Sequence, residues 1–186
     1  MRAGNGADIV FGGAGRDVLN GGGGKDTVRG EVGDDRLIGG AQDDVLDGGS
    51  GRDVVSFAGS PRKVTVDLSG WASGWGHDTL RRIEDVIGSR FGDTIRGTNR
   101  ANRLDGAKGR DTLVGRRGPD VVTGGGGNDK AYGGGGNDAI YGKSGADLLV
   151  GDAGSDRLYG GPQRDVCRGS AGFDRGFSCE VRVSFP

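Results

Sequence analysis

The sequence is poor in the side chains that usually build a protein interior or a catalytic centre. Only 32% of its 186 residues are hydrophobic and 6% are aromatic, and no apolar stretch approaches the length of a transmembrane helix. One histidine and two cysteines are too few for a zinc protease site or a multi-cysteine zinc site. The motifs H-E-x-x-H and G-x-S-x-G are also missing. The sequence therefore predicts neither a membrane span nor an enzyme.

Glycine, by contrast, supplies 44 residues, and the net charge is only −1. Strict Gly-X-Y order is absent, which excludes collagen and leaves a flexible glycine-rich linker as the alternative to a folded chain. Basic residues such as Arg16, Lys25 and Arg110 are scattered rather than clustered with aromatic residues. Nucleic acid is therefore not a predicted partner.

Aspartate recurs every nine residues in the pattern G-G-x-G-x-D-x-U-x, where U is a large aliphatic residue. Between Gly124 and Tyr141 the unit reads GGGGNDKAY GGGGNDAIY. A linker would not keep an aliphatic residue two positions after each aspartate, whereas a short fixed period indicates a solenoid of stacked repeats. Position six is occupied by Asp8, Asp17, Asp26, Asp35, Asp44, Asp53, Asp93, Asp111, Asp120, Asp129, Asp138, Asp147, Asp156 and Asp165.

Position eight, as in Val28 and Leu113, predicts one inward side chain from a very short strand, with the glycines forming the turn. One repeat is then half a coil, so stacked neighbours lie two repeats apart. We expect an all-β fold, a parallel β-roll (β-solenoid) of nine-residue repeats that is interrupted once by a non-repeat segment. The predicted rows of carboxylates are Asp17–Asp35–Asp53, Asp111–Asp129–Asp147 and Asp120–Asp138–Asp156.

Stacked carboxylates about one strand spacing apart, ~4.8 Å, would repel one another without a cation between them. Carboxylates and turn carbonyls together offer only oxygen ligands. Such a set suits Ca²⁺ better than Mg²⁺, because Mg²⁺ keeps its waters and requires strict octahedral geometry. The aspartates at position six are therefore candidate calcium ligands.

These repeats resemble the RTX (hemolysin-type) calcium-binding nonapeptide repeat. The resemblance implies a parallel β-roll with several Ca²⁺ ions between stacked turns and a side-chain ligand at each aspartate of position six. It also implies a secreted protein that crosses a type I secretion channel unfolded and folds outside the cell. Asn102 and Arg100 depart from the pattern, so we expect the strongest sites around Asp17–Asp35 and Asp120–Asp156 and a weak one near Asn102.

The repeat frame divides the chain into four predicted segments. They are N-terminal β-roll repeats at 1–56, a non-repeat insertion at 57–87 that continues the roll, C-terminal β-roll repeats at 88–177, and a tail or cap at 178–186.

The insertion carries two local predictions. Alternating Val64, Val66 and Leu68 predict a strand. A loop containing Trp71, Trp75 and His77 is expected to follow, with His77 as a loop residue rather than a base or a ligand.

Cys167 falls at an inward position eight and Cys179 lies in the tail. A pair that closes a short loop at the end of a solenoid is consistent with a disulfide cap and an extracellular location. Two free cysteines in a reducing compartment are the alternative.

The sequence therefore predicts an extracellular module that folds on binding several calcium ions. One alternative is a Ca²⁺-dependent adhesion or polysaccharide-binding module, in which Trp71, Trp75, Tyr132 and Tyr141 would contact a cell-surface glycan. The tryptophans could equally cover apolar edges of the roll. Another alternative is the calcium module of a larger secreted enzyme, whose catalytic passenger domain is absent from this sequence.

Overall fold

The chain is built almost entirely of short strands joined by tight turns. The computed structural model describes residues 1–179 and 181–183. Within them no helix is long and apolar enough to cross a membrane. Residues 180 and 184–186 of the predicted tail lie outside the described residues. The strands are β1 (Ile9–Ala14), β2 (Val18–Gly23), β3 (Thr27–Val32), β4 (Arg36–Ala41), β5 (Val45–Ser50), β6 (Val54–Ser56), β7 (Thr65–Asp67), β8 (Trp71–Ser73), β9 (His77–Arg81), β10 (Asp85–Ile87), β11 (Thr94–Arg96), β12 (Arg103–Asp105), β13 (Thr112–Arg117), β14 (Val121–Gly126), β15 (Lys130–Gly135), β16 (Ala139–Ser144), β17 (Leu148–Ala153), β18 (Arg157–Tyr159), β19 (Val166–Arg168), β20 (Arg175–Phe177) and β21 (Val181–Val183).

The strands form two sheets that face each other, and successive repeats alternate between them. One sheet has 12 strands in the order β1-β3-β5-β9-β8-β7-β11-β13-β15-β17-β19-β21, and the other has nine in the order β2-β4-β6-β10-β12-β14-β16-β18-β20. In the regular parts the neighbours are parallel and lie two repeats apart, as in Val10 opposite Val28 and Ala131 opposite Leu149. This arrangement confirms the predicted all-β parallel β-roll.

In the regular repeats the interior is built from the side chains at position eight. Each strand contributes one such residue to the space between the sheets, because alternate side chains of a strand point to opposite faces. The buried residues at position eight are Val10, Leu19, Val28, Leu37, Leu46, Val55, Ile95, Leu104, Leu113, Val122, Ala131, Ile140, Leu149, Leu158 and Cys167.

The turns depend on left-handed backbone conformations at positions two and four of the repeat. In one turn these are Gly125, with φ of 109°, and Gly127, with φ of 133°. Glycine adopts such angles without the steric cost that a Cβ brings. Some repeats impose the same conformation on larger residues, including Arg116 at φ of 84° and Lys143 at φ of 76°. In these repeats the backbone geometry of the turn is therefore retained although the glycine is lost.

Residues 57–87 supply strands to both sheets instead of a surface loop. β7, β8 and β9 form antiparallel pairs inside the 12-stranded sheet, whereas β10 takes one parallel place between β6 and β12 in the other. Val64, Val66 and Leu68 are buried, in agreement with the predicted alternation. The expectation of a loop at Trp71 and His77 was wrong, because these residues begin β8 and β9, respectively. His77 pairs with Ser73 and Asp78 pairs with Ala72 on β8.

The C-terminal end of the roll is closed covalently. Cys167 and Cys179 form a disulfide with their Cα atoms 5.8 Å apart. Cys167 lies on β19 and is fully buried at the end of the core column. The disulfide prediction is confirmed, and the cross-link ties the last described turns to the core.

Candidate metal-binding turns

The aspartates at position six form two rows, one along each edge of the roll where the chain passes between the sheets. Within a row each carboxylate is directed at the backbone of the preceding coil. The amide nitrogen of Asp129 donates to Oδ1 of Asp147 at 2.8 Å, and that of Asp138 donates to Oδ1 of Asp156 at 2.8 Å. Asp17 donates to Asp35 in the same way. The predicted stacking of aspartates two repeats apart is therefore present.

The second oxygen of these carboxylates has no such partner. Oδ2 is buried and accepts no hydrogen bond, although a buried carboxylate oxygen is normally paired with a donor or a cation. This unsatisfied oxygen recurs in Asp26, Asp35, Asp44, Asp53, Asp111, Asp120, Asp129, Asp138, Asp147 and Asp156. Its repetition in one register indicates that the turns are shaped around something other than the protein's own donors.

Position one of the repeat lies against this oxygen. A Cβ built on Gly124 would be 2.6 Å from Oδ2 of Asp129 and 3.0 Å from the carbonyl oxygen of Gly142 in the next coil. Both distances are shorter than an ordinary van der Waals contact, so only glycine fits without a shift. The absence of a side chain lets a carboxylate oxygen and a backbone carbonyl oxygen approach each other inside the turn.

Burial makes these carboxylates poor acids. Desolvation raises the pKa of Asp44, Asp111, Asp120 and Asp156 to about 7 from the usual 3.8. The backbone N–H donated to each carboxylate lowers the pKa, but by less than burial raises it. Negative neighbours in the same row add to the increase, as Asp129 does for Asp111. A cation in the turn would stabilise the ionised form that the bare protein disfavours.

The donor set restricts which ion could bind. The described residues contain no group of three His, Cys, Asp or Glu side chains that could hold a metal. An ion in these turns must therefore take part of its coordination from backbone carbonyls. Carboxylate and carbonyl oxygens in a flexible, glycine-rich turn match the preferences of Ca²⁺, which accepts six to eight such ligands. The residues present thus fit calcium and offer zinc no nitrogen or sulfur ligands.

Comparison with known families gives the same chemistry. The model of the RTX calcium-binding nonapeptide repeat matches residues 2–37, 20–55, 87–122, 105–140, 115–149 and 141–175. The chain belongs to this family. RTX repeats bind calcium in a β-roll, so the family and the fold agree. No curated protein matches the chain.

Not every predicted ligand of this RTX chain has the same surroundings. Asp8 and Asp17 are half-buried in the first coil, and Asp165 is buried in the last regular turn, where Oδ1 accepts the amide of Asp147 at 2.8 Å. Asp93 differs more. Its carboxylate accepts the amide nitrogen and the hydroxyl of Ser89 at 2.6 and 2.8 Å, and also the amide nitrogen of Val64 at 2.8 Å.

Asn102 is also saturated by the protein. Its Oδ1 accepts the amide nitrogen of Thr98 at 2.7 Å and the Thr98 hydroxyl at 3.1 Å. Its Nδ2 donates to the carbonyl oxygen of Glu84 at 2.6 Å. The substitution of Asp by Asn therefore comes with a different turn, and not merely with the loss of one charge.

Two residues of the insertion occupy position six without having been predicted there. Oδ1 of Asp78 accepts the amide of Asp44 at 3.1 Å, and Oε2 of Glu84 accepts the amide of Asp53 at 2.9 Å. Asp78 lies two residues before the buried Leu80, so the spacing of an acid and an aliphatic residue would have revealed it. Glu84 ends a shortened turn, and no sequence signal distinguishes it from Asp85.

The aromatic residues named for a glycan platform do not share one surface. Trp71 and Tyr132 belong to the 12-stranded sheet, whereas Tyr141 belongs to the nine-stranded sheet. Tyr141 stacks on Tyr159 with ring centroids 4.8 Å apart, and Tyr159 stacks on Phe177 at the same distance. These rings turn their faces toward one another, so the row supports the sheet.

Proposed function

We propose that the chain is an extracellular folding module that becomes ordered when several calcium ions bind in its turns. The observation that supports this proposal is the buried, unsatisfied Oδ2 that recurs along both edges of the roll. Without a cation, each of these oxygens imposes a desolvation cost on the folded state. Calcium, when bound, supplies the positive charge that removes this cost.

The ligands in this proposal are the position-six aspartates with an unsatisfied Oδ2, together with carbonyl oxygens of the neighbouring turns. The half-buried Asp8 and Asp17 and the buried Asp165 extend the same rows. Glycine at position one keeps space for the ion, and the amide of the preceding coil fixes Oδ1. Each ion would bind two coils at once, so binding at one turn orders the surface needed by the next.

An extracellular location supports calcium control of folding. RTX proteins with weak sites, with a Kd of ~10⁻⁴ M, remain empty at low cytosolic calcium and fill at millimolar concentrations outside the cell. Each such site then contributes about 1.4 kcal/mol at tenfold excess over its Kd. The disulfide between Cys167 and Cys179 is also favoured in an oxidising compartment. We propose no catalytic activity for this segment.

The test is a calcium titration of the 186-residue chain followed by far-UV circular dichroism and small-angle scattering, with magnesium as the control. We expect strand signal and compaction to rise cooperatively with calcium and to stay low with magnesium. Equal strand content in chelator and in millimolar calcium would contradict the proposal.

A further inference from the structure

Three turns in the middle of the roll, defined by residues 82–84, 88–93 and 97–102, differ from the regular turns on either side. We infer that these turns bind no calcium and that they form a calcium-independent joint between two calcium-binding blocks. The inference rests on the proposed function, because it specifies which turns of the roll take part in it. Four features of the joint support it.

The first feature is the backbone of the turns. Ser89 and Thr98 stand at position two and Phe91 and Arg100 at position four, and none of the four has a positive φ. The turns of Asp17–Asp53 and of Asp111–Asp165 are left-handed at both positions. With the backbone turned the other way, the N–H groups of Ser89 and Thr98 point inward and donate to the side chain at position six.

The second feature is the saturation that follows. Both carboxylate oxygens of Asp93 accept protein donors, whereas Oδ2 of Asp129, in the same row, accepts none. Both residues are buried, with 2% and 1% of their surface exposed. A carboxylate that already accepts several hydrogen bonds has little left to offer a cation. Asp93 and Asp129 are therefore chemically different despite their identical place in the repeat.

The third feature is the shortened turn before β10. Residues 82–84 replace the six residues of a regular turn, so several backbone carbonyls that could face an ion are missing. Of the three carbonyls that remain, that of Glu84 accepts a hydrogen bond from Nδ2 of Asn102 at 2.6 Å. One turn of the joint thus hydrogen-bonds directly to the next.

The fourth feature is that arginine side chains supply positive charge to this part of the roll. Nη1 of Arg116 donates to the carbonyl oxygen of Gly97 at 2.9 Å, and the same guanidinium binds both carboxylate oxygens of Asp67 at 3.1 and 2.6 Å. The guanidinium therefore contacts a turn carbonyl and a carboxylate, the two groups that a calcium ion would join. Arg116 is four residues before Asp120, and its position-two conformation is left-handed.

Two more arginines make similar paired contacts beside the shortened turn. Arg52 binds both oxygens of Asp85 at 2.9 and 2.7 Å, and Arg82 binds both oxygens of Asp47 at 2.7 and 2.6 Å. Bidentate contacts of this kind fix the orientation of both side chains as well as pairing their charges. Because the arginines are permanently protonated, the joint carries its cations at any calcium concentration.

The direct test is anomalous scattering from crystals of the whole chain grown in millimolar calcium. We expect ion peaks in the turns of Asp26–Asp53 and Asp111–Asp156 and none at the turns that carry Glu84, Asp93 and Asn102. An ion peak at any of those three turns overturns the inference. A folded chain with no ion at any turn overturns the proposed function instead, and the inference with it.

A matched pair of variants gives a second test in solution. D93N and D129N make the same change at the same repeat position and on the same edge of the roll. Calcium bound per chain, measured by equilibrium dialysis, should be unchanged in D93N and lower by at least one ion in D129N. An equal loss in both variants overturns the joint. Should D93N fail to fold, the anomalous map of the natural sequence decides by itself.

Discussion

The glycine at position one gives the sharpest test of how the turns are built, and Gly124 and Gly126 offer a matched comparison within one turn. In G124A the new Cβ would lie 2.6 Å from Oδ2 of Asp129 and 3.0 Å from the carbonyl oxygen of Gly142. In G126A the nearest atom is the carbonyl oxygen of Ala107 at 3.9 Å. Neither glycine has a left-handed φ, so backbone strain does not separate the two variants.

The loss of stability expected for G124A follows from these contacts. Forcing a methyl group against two buried oxygens costs about 1–3 kcal/mol, as overpacking of a core does. Displacing the carboxylate removes a further contribution of about 1.4 kcal/mol if the turn holds an ion at tenfold its Kd. We therefore expect G124A to lower the free energy of unfolding by about 2–4 kcal/mol in saturating calcium. G126A should change it by no more than about 0.5 kcal/mol, because the new methyl group meets no atom closer than 3.9 Å and adds no backbone strain.

The assay is urea unfolding followed by far-UV circular dichroism, performed on both variants and the natural sequence in millimolar calcium and in chelator. The steric part of the G124A effect should remain in chelator wherever the chain is folded, and the calcium-linked part should disappear. If G124A and G126A have the same stability in calcium, the close approach of Asp129 to Gly124 does not shape the site and the reasoning is refuted.

Two further predictions concern charge. The double variant D129A/D138A should raise the calcium concentration at the folding midpoint more than Asn102→Ala does, because it removes an unsatisfied carboxylate from each edge of the roll. Equal midpoints for the two variants in a calorimetric or circular dichroism titration would contradict this prediction. The metal-free chain should lose stability as pH rises from about 4 to about 7. Burial raises the pKa of Asp44 and Asp111 to about 7. The folded state therefore holds more protons than the unfolded state between about pH 4 and about pH 7, so its stability falls as the pH rises. The circular dichroism signal of the strands, measured in chelator, should accordingly be greater at acidic than at neutral pH. Bound calcium should abolish this difference. A metal-free signal that is independent of pH would count against buried, unsatisfied carboxylates.

Much of the fold was predictable because each position of the nine-residue repeat has its own physical requirement. An aliphatic residue such as Leu113 must be buried, a glycine must permit the turn, and an aspartate must stack on its counterpart two repeats away. These requirements are local or strictly periodic, so a single sequence displays them. The burial of Leu113 and the stacking of Asp129 on Asp147 followed from that period.

The middle of the roll could not be predicted in the same way. The contacts that define it join Arg52 to Asp85 and Arg116 to Asp67, across 33 and 49 residues, respectively. No repeat spacing connects such pairs. Whether the backbone at Ser89 is left-handed or right-handed also depends on residues that are near it in space but not in sequence. Sequence reasoning singled out Asn102 as a departure from the repeat but could not predict the hydrogen bonds that its side chain makes.

The two strands that β7 and β8 add to only one sheet alter the direction in which the roll runs. Neighbouring strands are ~4.8 Å apart, so one face is longer than the other by about 10 Å, which is comparable with the ~10 Å that separates the sheets. The axis must therefore turn toward the nine-stranded face at this point. The nine-stranded face carries a recess here, lined by Arg16, Arg36, Arg52 and Arg103 together with Asp17, Asp34, Asp35 and Asp85. The two arms of the molecule thus point along different lines, at an angle set by the hairpin and not by the number of repeats.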